Sequence, residues 1–240
     1  MPEHTHAPAP ARDHGHHHDH DHDHGQVPDS SSGPVDREEF WDAFYRERDQ
    51  VWSGEANALL IREAEGLAPG RALDLGCGEG ADSVWLARQG WQVTATDVSG
   101  VALGRAAAHA AEAGIGDRVE WQRHDLAESF PAGEFDLVSA CFLHSHTEFP
   151  REHVLRTAAA AVAPGGILLV VGHGGRPSWV EEPSHQGVEF PSPDEVVARL
   201  ELAEGAWEVL LAEEHVRVHH QPDGRAGTLA DNVVKVRRTA

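Results

Sequence analysis

Short apolar runs recur through the middle of the chain: Ala72–Leu75, Gln92–Thr96, Arg118–Arg123, Phe135–Phe142 and Ile167–Val171. Each has the length of a strand. Between them lie amphipathic or Ala-rich stretches of helical length, Asp82–Gln89, Ser99–Ala113 and Arg151–Val162. Strands that alternate with helices predict a parallel α/β sheet covered on both faces. The end of the chain differs. Trp207–Val218 and Thr228–Arg238 are β-patterned runs on either side of Gln221-Pro222-Asp223-Gly224, a turn signal, and no helix separates them. They predict an antiparallel hairpin. Ahead of the first strand, Asp36 and Glu39 have capping-box spacing and open an amphipathic helix through about Gln50. A second helix is expected from about Glu55 to Glu65.

Residues 1–36 have no such pattern. Nine histidines and four aspartates crowd residues 4–24, and a Ser-Gly-Pro linker follows. Val27 and Val35 are the only bulky apolar residues before the first helix, apart from the initial Met. Such a segment cannot bury enough surface to offset its ordering entropy, so a disordered tail is expected, followed by one domain over 37–240. The chain carries a net charge of −21; seven acids and Arg12 leave the tail at −6 and the domain at −15. That charge argues against nucleic acid and anionic membrane as partners, since both demand Lys and Arg. The longest apolar stretch, Ala158–Gly172, is interrupted by Pro164-Gly165-Gly166 and is too short to span a bilayer. The first residues lack a basic start and an apolar run, so a cytoplasmic location is expected. Two cysteines, Cys77 and Cys141, exclude a disulfide framework and an all-cysteine zinc site.

The densest motif is Leu73-Asp74-Leu75-Gly76-Cys77-Gly78-Glu79-Gly80, between the first strand and a helix. Glycines there allow a sharp turn and close backbone approach to a ligand, and helix N-terminal amides favour an anionic group. Asp97 ends the second strand, where a carboxylate can accept both hydroxyls of a ribose. By spacing, Gly76, Gly78 and Ala81 satisfy a dinucleotide pattern, so a nucleotide-cofactor oxidoreductase is one alternative. Asp74 points elsewhere: a carboxylate beside the first glycine would repel a pyrophosphate and suits a cationic group.

The segment resembles the first motif of class I S-adenosylmethionine-dependent methyltransferases. The likeness extends through Asp97, His124-Asp125-Leu126, Phe135-Asp136-Leu137-Val138, Ala163-Pro164-Gly165-Gly166-Ile167-Leu168 and the terminal hairpin. It implies a Rossmann-like sheet of seven strands, mostly parallel, with a C-terminal antiparallel hairpin and helices on both faces. It implies S-adenosylmethionine as cofactor. Gly76, Cys77 and Gly78 would line its methionine half, Asp74 would hold the amino group, Asp97 the ribose, and Val98 would pack on the adenine. Asp125 and Leu126 would read the adenine edge, Cys141 would offer backbone contacts, and Trp52 with Tyr45 would form a lid. Phe44-Tyr45-Arg46-Glu47-Arg48, Val51-Trp52-Ser53-Gly54, Phe142-Leu143-His144 and Val171-Gly172-His173 further resemble the tellurite-resistance and thiopurine methyltransferase-like branch. That likeness implies a small-molecule acceptor that is a soft nucleophile (tellurite, selenite or a thiol) in detoxification.

An anionic acceptor needs no base, whereas a hydroxyl or amine does. His144 and His146, after the fourth strand, and His173, ending the fifth, are the candidate catalytic residues, with Glu148 nearby. Residues 174–190, with Trp179, have the composition of a substrate-covering loop. In the tail, His14, His16, His17, His18, His20, His22 and His24 interleave with aspartates, a donor set suited to Ni²⁺ or Zn²⁺. A metal-homeostasis protein with an auxiliary methyltransferase domain is therefore the other alternative. The oligomeric state is not encoded in any of these patterns.

Overall fold

The structure, a computed structural model, describes residues 36–145, 147–180, 190–220 and 225–239. The histidine-rich tail, His146, most of the loop before Phe190 and the turn at 221–224 lie outside the described residues. Seven strands, β1 (Arg71–Leu75), β2 (Gln92–Asp97), β3 (Val119–Arg123), β4 (Phe135–Cys141), β5 (Val162–His173), β6 (Trp207–His220) and β7 (Ala226–Arg238), form one sheet. Their order is β3-β2-β1-β4-β5-β7-β6. The first five pair in parallel, and β7 lies antiparallel between β5 and β6. The expected sheet and terminal hairpin are both present.

Among the described residues six α-helices, α1 (Arg37–Arg46), α2 (Ala58–Ala64), α3 (Ala81–Arg88), α4 (Gly100–Glu112), α5 (Arg151–Ala160) and α6 (Pro193–Arg199), cover the sheet. Successive strand residues face opposite sides, and each side has its own core. Leu73, Leu75, Val138, Leu168 and Val170 pack with Val154 and Leu155 of α5 and Val196 of α6. Ala72, Leu137, Ile167, Leu169 and Val171 pack with Leu59 and Leu60 of α2 and Leu86 of α3. The apolar runs are continuous because the central strands are buried on both faces.

The helix ends depart from the sequence expectation, each for a local reason. α1 stops at Arg46, short of Gln50, because the following backbone is drawn to the glycine loop. Val51 and Trp52 N–H groups donate to the Glu79 carboxylate, and Arg105 donates to the Tyr45 and Arg48 carbonyls. α2 starts at Ala58, not Glu55, because Asn57 caps it by accepting from Leu59 N. Val162, expected in a helix, begins β5 and pairs with Phe135, and the strand then shifts register past Pro164. Phe142, expected in β4, follows the strand with φ +52°, a left-handed kink uncommon for a bulky residue. α6 was not foreseen, although Ser192-Pro193-Asp194-Glu195 forms a full capping box with Pro at the start.

The β1–α3 turn places Gly76, Gly78 and Gly80 at positive φ. A Cβ on Gly80 would also lie 2.7 Å from the Ala106 Cβ of α4. Gly80→Val is expected to destabilise the fold by about 3 kcal/mol, combining left-handed strain with overpacking. Urea unfolding checks this; a loss below about 1 kcal/mol would mean the turn relaxes freely.

Candidate active site

The glycine loop lies at the carboxyl ends of β1 and β2, where ligands bind in open α/β sheets. Asp97, buried at the end of β2, accepts from Gly78 N and Ser99 N, both at 2.9 Å. Burial pushes its carboxyl above the ordinary value, and those amides, with Val98 N, oppose the rise. Asp74, buried at the end of β1, accepts from Ser83 Oγ at 2.6 Å and Ser139 Oγ at 3.4 Å. Burial, then the charge of Asp82, raises the Asp74 carboxyl to about 7. Among the described residues neither Asp74 nor Asp97 has a salt-bridge partner. Each carboxylate oxygen keeps lone-pair capacity beyond its protein donors.

Neither cysteine favours its thiolate. Burial, then nearby aspartates, raises both thiols well above the usual range, which disfavours the thiolate. Cys77 N donates to Thr96 O at 2.8 Å, and this ties the loop to β2.

The segment around α1 sits on this edge. Trp52, 39% exposed, donates through Nε1 to Tyr45 Oη at 3.1 Å. Both side chains lie 3.1 Å from where a Gly78 Cβ would be. Asp42 accepts from Ser99 Oγ at 2.6 Å, and Arg37 Nε donates to Asp125 Oδ2 at 2.8 Å. Asp125, expected to face the adenine, is thus paired with α1; its other oxygen accepts from Ala127 N at 3.1 Å. Val98 and Leu126 are half-buried, and Leu126 packs against the α5-side core. Arg37, Asp42 and Glu79 were not foreseen as part of this edge.

A second cluster stands at the ends of β4 and β5. The kink at Phe142 brings Leu143 onto the loop, 2.7 Å from where a Gly76 Cβ would lie. The adjacent His144 ring stacks on His173, with centroids 5.3 Å apart and planes 8° from parallel. Phe142 packs on His173 at 4.7 Å. His173 Nδ1 lies 3.6 Å from Oδ1 of the buried Asp231, whose Oδ2 accepts from Arg217 Nε at 2.7 Å. The structure therefore joins His144 to His173 and adds Asp231 and Arg217. Glu148 is exposed, and its carbonyl accepts from Arg37. Trp179 packs against Gly227 of the projecting hairpin, and Ser178 N donates to Thr228 O, so this part of the expected covering loop is fastened to β7.

The family profile described as a methyltransferase domain matches residues 72–166, from β1 into β5. A ubiquinone biosynthesis O-methyltransferase of Caulobacter sp. (strain K31) is 37% identical over 165 residues, covering 61% of this chain and 64% of that protein, less than two thirds of its length. A protein of the same name from Methylobacterium sp. (strain 4-46) is 32% identical over 191 residues, covering 73% of this chain and 74% of that one. The chain belongs to the class I S-adenosylmethionine-dependent methyltransferases. The N-methyltransferase NodS from Bradyrhizobium japonicum WM9, solved with S-adenosyl-L-homocysteine, shares the fold of this methyltransferase, with a TM-score of 0.61 at 18% identity, 85% of this chain and all of that one being covered. The donor set fits such a cofactor: a glycine cradle beside two buried carboxylates without cationic partners suits a cationic, ribose-bearing molecule. Among the described residues, no helix of the methyltransferase is long and apolar enough to cross a membrane.

Proposed function

We propose that this methyltransferase transfers the methyl group of S-adenosylmethionine to a hydroxyl oxygen of a small molecule. The carrying observation is the His144–His173 stack beside the glycine loop, because a base is needed by a hydroxyl and not by a soft anion. The names of the Caulobacter and Methylobacterium relatives support a hydroxyl acceptor. The tellurite, selenite and thiol acceptors implied by the branch likeness gain no support from them.

When bound, the cofactor supplies a methyl carbon on a sulfonium that leaves as a neutral thioether. In this proposal Gly76, Cys77 and Gly78 cradle the methionine half and Asp74 holds its ammonium. Asp97 would take the ribose hydroxyls, Val98 would pack on the adenine, and Leu126 with Asp125, through the lone pairs that Arg37 and Ala127 leave, would read its edge. Cys141 offers backbone contacts. Trp52 and Tyr45 exclude water. His173 would accept the proton of the acceptor hydroxyl and pass it to solvent. His144 holds the ring by stacking. Most of the remaining work is alignment of the two reactants.

The test follows label from methyl-labelled S-adenosylmethionine onto catechol, a simple thiol and tellurite by mass spectrometry. Transfer to catechol oxygen is expected. Transfer to the thiol or tellurite alone would overturn the hydroxyl assignment.

Cofactor affinity should depend on pH. An ammonium placed against Asp74 favours its carboxylate, so binding expels the proton that Asp74 holds below about 7. Affinity for S-adenosylhomocysteine should fall roughly tenfold per unit below about 7. Calorimetric titration across pH checks this, and a flat profile would remove Asp74 from the ammonium site.

A further inference from the structure

We propose that Asp231, with Arg217 behind it, is a positioning residue. It holds His173 in the tautomer that carries its proton on Nδ1 and keeps the Nε2 lone pair for the acceptor. The proposal rests on the hydroxyl-transfer function above and adds two residues from the terminal hairpin to it.

His173 and Asp231 are direct cross-strand partners in the antiparallel β5–β7 pair, so their side chains share a face. Asp231 Oδ1 is buried and makes no hydrogen bond, while Oδ2 is held by Arg217. A buried acceptor without a donor costs about 1–3 kcal/mol, which favours closing the 3.6 Å gap to His173 Nδ1. Contacts of this kind are often long before ligand binds. The guanidinium of Arg217 can only donate, so the carboxylate must accept from both sides.

The charge state agrees. Burial pushes the Asp231 carboxyl up, but the His173 and Arg217 contacts outweigh it and hold the group below its ordinary value. Among the described residues, the His144 and Phe142 rings pack on His173, and Arg151 reaches the neighbouring Gly172. Arg151 Nη2 lies 3.4 Å from where a Gly172 Cβ would be, and its Nε donates to Leu143 O. Asp231 is the carboxylate that the described residues place against His173 Nδ1.

The test is ¹⁵N imidazole spectroscopy on the full chain at about pH 8.5, roughly two units above the ordinary imidazole value. The His173 signals are identified by their loss in His173→Gln. The wild type should show the Nδ1–H tautomer. In Asp231→Asn, Arg217 Nε keeps the amide oxygen, so the NH₂ group faces Nδ1 and the tautomer should invert to Nε2–H. With catechol as acceptor, kcat should fall about a hundredfold while KM for S-adenosylmethionine stays unchanged. In Asp231→Asn/Arg217→Met the amide can turn, and the Nδ1–H form should return in part.

An Nε2–H tautomer in the wild type overturns the proposal without any variant at the aspartate. So does an unchanged tautomer in a folded Asp231→Asn protein. If the tautomer inverts as expected while catechol is never methylated, the positioning stands and the hydroxyl acceptor falls.

Discussion

Asp97→Ala is expected to weaken S-adenosylhomocysteine binding about a thousandfold. Two hydrogen bonds from ribose hydroxyls to a carboxylate are worth roughly 1.5–3 kcal/mol each, and tenfold in affinity is about 1.4 kcal/mol. The same change strips an acceptor from the buried Gly78 and Ser99 amides, so the loop keeps its Cys77–Thr96 tie to β2 but loses the one through Gly78. Stability should therefore drop as well, by about 2 kcal/mol, without loss of the fold. Asp97→Asn keeps one acceptor oxygen and should lie between the two. Calorimetric titration with a thermal melt on the same sample separates the effects. An affinity within threefold of wild type would sink the ribose assignment.

His173→Ala is expected to lower kcat for catechol about a thousandfold, within the range of general-base contributions, and to leave S-adenosylhomocysteine affinity unchanged. Under the proposed function the side chain serves the methyl acceptor, whereas the glycine loop serves the cofactor. Initial rates with a thiol at a pH where the thiolate dominates provide the internal contrast, since that acceptor needs no base. Equal losses with both acceptors would mean that His173 shapes the pocket by packing on Phe142 and His144. Normal turnover with catechol would remove His173 from the chemistry altogether.

The sheet and its glycine-rich edge were legible because both are local in sequence. Strand-length apolar runs reveal double burial, and Asp74 through Asp97 lie within a single strand–helix–strand unit. Helix ends were less legible because distant groups set them. Glu79 gathers the backbone of Val51 and Trp52 and so ends α1 early. The ion pairs were hidden for the same reason. Arg37 meets Asp125 across 88 residues, and no charge pattern announces it. Asp231 did leave a signal: Asp231-Asn232 stands between the apolar pairs Leu229-Ala230 and Val233-Val234, and adjacent polar residues on a buried stretch of strand have to find partners on both faces. Read as strand content alone, the pair concealed its place beside His173. His144 and His173 were legible as strand-end histidines, whereas their stacking depends on the left-handed Phe142, which composition does not reveal.

The first helix touches three corners of the cofactor edge at once. Tyr45, with Trp52 just beyond the helix, rests on Gly78, Asp42 is bonded to Ser99, and Arg37 is bonded to Asp125. Under the proposed function, these contacts border the nucleotide half of the cofactor, and its release is expected to be coupled to their breaking. Departure then becomes a gated event whose tempo is set by the detachment of a short amphipathic segment. Salt, which screens the Arg37 pair, would act on that tempo while leaving the chemical step between oxygen and methyl untouched.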